Sequence, residues 1–519
     1  MHRCLQIHEM IDVIVSHLSR SALAVMARTC NMFHDPALDL LWREQHGLDN
    51  VLRCMPSGLF VVEDDALERQ LQRPIMSTDW DRALRYTHRV KEFHSPWFDH
   101  APVSDILPVL SMCLPDHSLF PNLRRLQWSH ADNSHFHHID LFLNPRLAHI
   151  IILCKTPLPQ LSILSTLPRK CPSLKSVSLH LPPRDLHTVV SFQSNLSVFV
   201  RRLHHLEFLH MPLPDAAALQ HVAGIPTLHS LELRVLLIAF LVSPLETSFI
   251  KLRNLVLHDV DVEAASKFLQ ICVSAPLVSV AINNTARATL GALDHFIATL
   301  TQCSGSYSTL TSLSLDLSLH EDSSMRAHSL STLFCFKKLT HVDIQSETGF
   351  DLDNVLIFDL ARAWTHLKSL QLRESVPHIP RGLTIECLRS LSGNCPDLRF
   401  LHLSFDASTT QAPQHGQNQV SQTTLEYLDV AHSHIAMPTC VARFISAIFP
   451  NLRRISTARE YHDLIYHTED EEDLDENAEE ILFHQRWKEV QSRLDDIREE
   501  RGVVCNRSHD AGHEEDVIN

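Results

Sequence analysis

The sequence predicts an α/β solenoid, a curved parallel sheet with helices and loops on its convex side, preceded by a small three-helix head. Three observations point there. The chain has 519 residues, more than one core organises, because single cores stop growing near ~250–300 residues. From residue 121 onward an apolar triplet spaced L-x-x-L-x-L recurs. The first 46 residues crowd large apolar side chains into a segment too short to bury them all.

That first segment, 1–46, reads as three short helices: one near 8–18, one near 21–33, and one opening at "DPALDLLWRE", where Asp35 and Pro36 make an N-cap and first-turn pair. It holds Leu5, Ile7, Met10, Ile11, Ile14, Leu18, Leu23, Met26, Phe33, Leu38, Leu41 and Trp42. Three helices of this size enclose too little volume for all of them, so one face is expected to pack elsewhere. Residues 47–104 form a connecting helical region with one clear helix, "TDWDRALRYTHRVKEF", whose Thr78 and Asp81 have capping-box spacing.

The solenoid is placed at 105–460. Its units begin with "PNLRRLQW" at 121 and include "CPSLKSVSL" at 171, "IPTLHSLEL" at 225, "YSTLTSLSL" at 307, "WTHLKSLQL" at 364, "CPDLRFLHL" at 395 and "FPNLRRIST" at 449. Thirteen copies recur at a mean of about 27 residues, inside the period of leucine-rich repeats. The closing x-L-x-L of each is a short strand whose leucines alternate inward, and one unit cannot cover its own leucines, so neighbours must stack. The segments "VDVEAASKFLQICVSA" from Val260 and "GALDHFIATLTQC" from Gly291 read as convex-side helices, and 406–424, almost without apolar residues, reads as a loop. An acidic segment follows at 461–480. A helix at 481–501 with an apolar stripe of Ile481, Trp487, Val490, Leu494 and Ile497 is expected to cap the last repeat, and 502–519 is expected to be a disordered tail.

Composition excludes several classes. The formal net charge is minus 16, but nine acids fall within Glu469 to Glu480, and the remainder is only mildly acidic at minus 7. No basic face advertises nucleic acid. The longest apolar run, "VLLIAFLV" from Val235, has eight residues against the ~20 that span a bilayer, and His8, Glu9 and Asp12 interrupt any signal-peptide run, so no membrane association is expected. Thirteen scattered cysteines without a CxxC pair read as reduced thiols inside the cell. Only eleven glycines occur, and neither a GxGxxG nor a P-loop is present.

The stretch "IHEMIDVIVSHLSRSALAVMARTCNMFHDPALDLLWREQ" resembles an F-box. Its E-hydrophobic-hydrophobic-x-x-I step lies at Glu9, Met10, Ile11 and Ile14, followed by Leu18, Leu23, the Ala27 and Cys30 step, and the closing Leu41 and Trp42. The region through "CMPSGLFVVEDDALERQLQRPIMSTDWDRALRYTHRV" is similar to the linker of many fungal F-box proteins. Two positions depart from the pattern: "QIHE" lacks the proline usual before Glu9, and Val15 replaces the usual aromatic. The resemblance implies a non-catalytic, substrate-recognition subunit of a Skp-cullin-F-box ubiquitin ligase, cytoplasmic or nuclear, without cofactor. The head would dock a Skp-type adaptor, and through it a cullin, by Leu5, Ile7, Glu9, Ile11, Ile14, Leu18, Leu38 and Trp42, across an interface of about 800 Å² per partner.

The repeats would hold a protein substrate on outward strand positions, with His341, Asp343, Gln371, Arg373, Phe400, His402, Tyr427 and Asp429 as the candidate set. Mixed polarity with a few aromatics suits a protein ligand better than a phosphate backbone. Two rival readings stand beside this one. In the first the chain is a scaffold whose head merely packs. In the second it binds a metal through "SHADNSHFHHID", which places His130, Asp132, His135, His137, His138 and Asp140 close together, although HExxH is absent and histidine is abundant throughout. Cys171 and Cys395, each before a proline, read as core thiols rather than nucleophiles.

Overall fold

Each triplet folds as a turn followed by a short strand with its leucines inside. The computed structural model describes residues 7–62, 69–95, 106–114, 118–130, 136–154, 160–180, 186–212, 214–235, 249–283, 287–317, 325–374, 382–409, 421–460 and 478–510. The chain divides at Arg234 and Val235 into two compact α/β units, each built on a parallel sheet of stacked, repeating strands.

In the first unit the repeat strands are Arg125–His130, His149–Cys154, Ser176–His180, Phe208–Pro212 and Ser230–Arg234, paired in parallel in chain order. Two further strands, Glu44–His46 and Glu92–His94, extend this sheet to seven. Sequence reading missed both. The helix expected over 78–93 covers only Asp81–Thr87, because Glu92–His94 is recruited as a strand between Glu44–His46 and Arg125–His130, with Phe93 buried and stacked on Phe142 at 4.6 Å. Its entry is capped differently too: Asp79, not Thr78 with Asp81, accepts from the Met76 N–H at 2.8 Å and takes both nitrogens of Arg73.

The head comprises helices His8–Ser16, Arg20–Met26 and Asn31–Arg43. The third starts four residues before the expected Asp35–Pro36 pair, with Cys30 as its N-cap and Pro36 inside it. Proline there removes the donor to one carbonyl of the preceding turn and crowds that carbonyl, while the buried Pro36 and Ala37 pack this helix against its neighbours. The head core is Ile11, Val15, Leu23, Ala27 and Ala37, bordered by Leu18, Met26, Phe33, Leu38 and Leu41.

The second unit repeats the plan with eight strands: Asn254–His258, Ser279–Asn283, Ser312–Leu317, His341–Ser346, Ser369–Glu374, Phe400–His402, Tyr427–Asp429 and Arg454–Ser456. Helices Val262–Ile271 and Leu290–Gln302 lie where the sequence places them, with Asp261 and Thr289 accepting from the Ala264 and Ala292 N–H groups. Gly305 is required where successive turns touch, since a Cβ there would sit 2.7 Å from the Ala275 carbonyl oxygen. Residues 410–420 of the expected loop lie outside the described residues; before them Asp406–Ala407 pairs with His434–Ile435.

The polar residue just ahead of the repeat leucine explains why the copies read "NL" or "TL". Its side chain donates to a carbonyl one repeat back: Asn122 to His88 at 2.8 Å, Thr227 to Leu206 at 2.7 Å, Thr309 to Leu277 at 2.7 Å, and Asn451 to Thr423 at 2.9 Å. Asn144 goes further. Its amide nitrogen donates to both Phe120 and Leu123 carbonyls at 3.2 Å, and its oxygen accepts from the Arg146 N–H.

The final helix, Ala478–Asp510, buries Trp487, Val490 and Leu494. Trp487 Nε1 donates to the Ser433 carbonyl at 2.8 Å, and Gln491 accepts from the Ile455 N–H at 2.7 Å, satisfying a donor on the last strand. Its backbone continues as helix past Gly502, where a disordered tail was expected, and 511–519 lie outside the described residues. Among the described residues no helix is long and apolar enough to cross a membrane.

Asn144→Ala is expected to cost ~1–3 kcal/mol, the penalty for buried carbonyls stripped of their donor, whereas Asn122→Ala, which removes one exposed bond, costs ~0.5–1.5 kcal/mol at most. Urea unfolding followed by circular dichroism measures both; equal losses would show that burial does not govern these ties.

Candidate functional site

Two surfaces bring the sequence-predicted residues together, one in each unit. On the head, Ile7 at the N-cap and Met10 and Val13 on the first helix recur at three-residue spacing, and they are 49%, 44% and 55% exposed. Glu9 is exposed beside them, and Ile14 and Leu18 are half-buried on the flank. Leu38 is half-buried against the head core. Leu5 lies outside the described residues.

Two expected docking residues are not available there. Ile11 is 1% exposed and belongs to the head's own core. Trp42 is buried against the connecting region, its ring stacked on Tyr86 at 4.8 Å, and Arg89 holds the same helix by pairing with Asp35 and Asp39. The reason is helical phase: Ile11 and Val15, one turn apart, turn inward together, which leaves Met10 and Val13 outside. Sequence reading did not select Met10 or Val13 because they share one broad apolar arc with Ile11, Ile14 and Val15, opposite His8, Glu9, Asp12 and Ser16, and spacing alone does not say which part of that arc the head covers.

In the second unit the strand register builds the other surface. His341, Ser369, Phe400, Tyr427 and Arg454 form one row across neighbouring strands, and Asp343, Gln371, His402, Asp429 and Ser456 form the next. Arg373 grips Asp343 with two bonds of 2.9 and 2.6 Å. The Phe400 and Tyr427 rings stack at 4.6 Å and 8°, and the Tyr427 and Ser456 hydroxyls lie 2.6 Å apart. His341 is exposed, and Asp343, Gln371, Arg373, Phe400, His402 and Tyr427 are half-buried.

Asp429 departs from expectation, because its side chain is 0% exposed. Burial alone would raise its carboxyl; His402, with Nδ1 3.1 Å away, and the Ala431 N–H hold it below the ordinary value instead. The carboxylate anchors the turn in which Ala431 takes a positive φ of 46°, so it supports the surface rather than lining it. Asp316 is a polar neighbour of this face. Burial, then Asp343 and Glu347, raise its carboxyl, and Arg373 opposes them.

A half-buried acid that no sequence pattern marked, with its Oε1 shielded from solvent, lies at the end of a strand in the same sheet. Glu374 follows Leu370 and Leu372 on the inward side of its strand, opposite the buried Ser346. Burial raises its carboxyl to about 7, with Ser404 pulling the other way, and its Oε1 has no hydrogen-bond partner among the described residues.

Among its described residues the histidine-rich stretch builds no shared site. His138 is buried with its ring 3.8 Å from that of His137, and Asp140 pairs with Lys170. Asp132, His135 and the His130 side chain lie outside the described residues. Among the described residues no three His, Cys, Asp or Glu side chains are placed to hold a metal. Cys171 and Cys395 are core thiols, raised by burial to about 11 and about 12, far from the range of an activated nucleophile.

No protein-family model matches this sequence, and no curated protein does. Among solved structures, the chain is similar to one in the crystal structure of the Rad7 and Elc1 complex in yeast, at 14% identity over 68% of this chain and 82% of that one, with a TM-score of 0.34. A likeness at that score assigns neither family nor partner.

Glu374 sets a pH dependence with a definite sign. Its folded carboxyl titrates at about 7 against an ordinary 4.5, so the folded state holds the proton more tightly, and stability is full below 4.5 and lost as pH rises to about 7. Glu374→Gln should remove that decline and leave the variant more stable than the wild type at alkaline pH. Thermal unfolding across the range checks it, and parallel curves for the two proteins would refute the assignment.

Proposed function

We propose that this chain is a non-catalytic substrate-recognition subunit of a Skp-cullin-F-box ubiquitin ligase, working in the cytoplasm or nucleus. The head docks a Skp-type adaptor, which links it to a cullin, and the leucine-rich repeats hold a protein substrate. The observation that carries this reading is the stripe of Ile7, Met10 and Val13, about half exposed on a head whose core is already filled by Ile11, Val15, Leu23, Ala27 and Ala37. Folding of the head does not use those three side chains, so their apolar character is explained by a partner that covers them. The F-box resemblance of the same segment supplies the partner's identity. On the repeats, the stacked Phe400 and Tyr427 and, in the neighbouring rows, the Arg373–Asp343 pair give an amphipathic surface suited to an extended protein segment.

The internal burial of Ile11 and Trp42 favours a second reading, in which the head is only a packing module of a scaffold. One experiment separates the two. The chain is co-expressed with a Skp-type adaptor and run on gel filtration beside Met10→Asp with Val13→Asp. Each buried apolar side chain is worth ~1.5–3 kcal/mol at an interface, so the double variant should lose co-elution while its far-ultraviolet spectrum is unchanged. A wild-type chain that never binds the adaptor, or a double variant that binds it equally well, would favour the scaffold.

A further inference from the structure

The first unit carries a basic recess at the starts of its strands. It encloses about 250 Å³ and is lined by Arg43, Lys91, Glu92, Arg124, Arg125 and His149. The fold dictates the clustering. Arg43, Lys91 and Arg124 each immediately precede a strand, and the sheet stacks these positions on one another: the Lys91 N–H donates to the Arg43 carbonyl, and the Arg124 N–H to the Lys91 carbonyl, both at 2.8 Å. Neighbouring strands lie ~4.8 Å apart, so like charges are brought side by side, which is unfavourable unless something neutralises them.

The chain's own acids do so only in part. Glu92 is shared at 3.4 Å between Arg43 and Arg125, and so orients both guanidinium groups. Ala148 is next along the row, and Lys175, one strand beyond it, is taken by Glu207 at 2.9 Å. Glu44, across the sheet from Glu92, faces His46 and His94. Lys91 and Arg124 have no acidic partner among the described residues. Four cations thus meet one acid in the recess. The surplus is felt by His149, whose imidazole is pushed down first by burial and then by Arg125 and Lys175, against Glu207 and Glu92.

We propose that this recess binds an oxyanion carried on a protein segment, a carboxylate or phosphorylated side chain seated among Arg43, Lys91, Arg124 and Arg125. Arginine forks pre-oriented by a carboxylate match the geometry of such groups. Nucleic acid fits poorly: no Phe, Tyr or Trp ring lines the recess to stack a base, and the chain as a whole is formally minus 16. A lipid headgroup fits poorly too, since no apolar side chain lines the recess to follow the acyl chain. The inference rests on the reading that the repeats hold a protein substrate, and adds a charge requirement to it.

The test uses the full chain and three short Gly/Ser-flanked peptides that differ only at the centre: phosphothreonine, paired glutamates, or threonine. Vesicles containing a phosphoinositide and a single-stranded RNA serve as further arms. An acidic peptide should bind at least about tenfold more tightly than the threonine peptide, the worth of one charge-assisted hydrogen bond, and the ratio between the two acidic peptides identifies the oxyanion. Lys91→Glu with Arg124→Glu should abolish the preference. Lys337→Glu with Lys338→Glu, an equal charge change in the second unit, should leave it intact. Equal binding of all three peptides, an undiminished preference in the first variant, or tighter binding of vesicles or RNA would overturn the proposal. Adaptor co-elution is run on the same samples: its loss with peptide binding intact counts against the ligase reading alone, and the converse against this inference alone.

Discussion

A strand with two or three inward leucines has nothing of its own to bury them against, and that constraint organises the molecule. Fixing a repeat of some 27 residues costs ~1–2 kcal/mol per residue in backbone entropy, while its handful of leucines returns only ~1.5–3 kcal/mol each when fully covered. A lone copy therefore does not fold, and the missing stabilisation is supplied by the next copy. The stack must also be held in register, because a slip by one residue would turn every leucine outward. The side chains of Asn122, Asn144, Thr227, Thr309 and Asn451 meet that need: each reaches a backbone carbonyl of an adjacent repeat with one fixed geometry.

The same register decides what the outer faces can do. Residues about thirty apart in sequence become neighbours a strand apart, so the chemistry of a row is set by one position taken once per repeat. Where that position is aromatic, as at Phe400 and Tyr427, adjacent copies stabilise each other by stacking. Where it is an opposite-charge pair offset by one row, as at Asp343 and Arg373, they form a two-bonded ion pair. Where it is cationic in three consecutive strands, as at Arg43, Lys91 and Arg124, adjacent copies repel and part of the field is left for a ligand to neutralise. A functional surface in this architecture is a departure from self-compensation along a row.

This explains which features could be read before the structure was seen. Every L-x-x-L-x-L copy became a strand, because inward alternation and the turn ahead of it are local properties. The strands Glu44–His46 and Glu92–His94 were not recognised, because they lack the leucine triplet and are recruited by pairing with Arg125–His130. Asp429 looked outward by alternation, yet the tight turn at Ala431 folds back over it. The basic recess was invisible because its cations come from three separate segments of an otherwise acidic chain. Glu374 was missed for a related reason: its inward direction follows from strand parity, but its burial depends on how the end of the strand is covered.

The head poses the same problem on a smaller scale and resolves it by dividing its apolar residues into two sets. Ile11, Val15 and Leu23 close its core, and Trp42 with Arg89 fastens its third helix to the connecting region. Ile7, Met10 and Val13 do neither, yet all three are large and apolar. Nothing in the packing of a helix of nine residues requires apolar side chains on its solvent side, and leaving them there exposes the chain to indiscriminate association. Because anchoring and outward-facing residues are distinct, charge can be introduced into the stripe without touching what holds the head together. A partner at Met10 and Val13 would therefore meet a surface whose shape is already set by Ile11 and Val15 on the core side of the same helix.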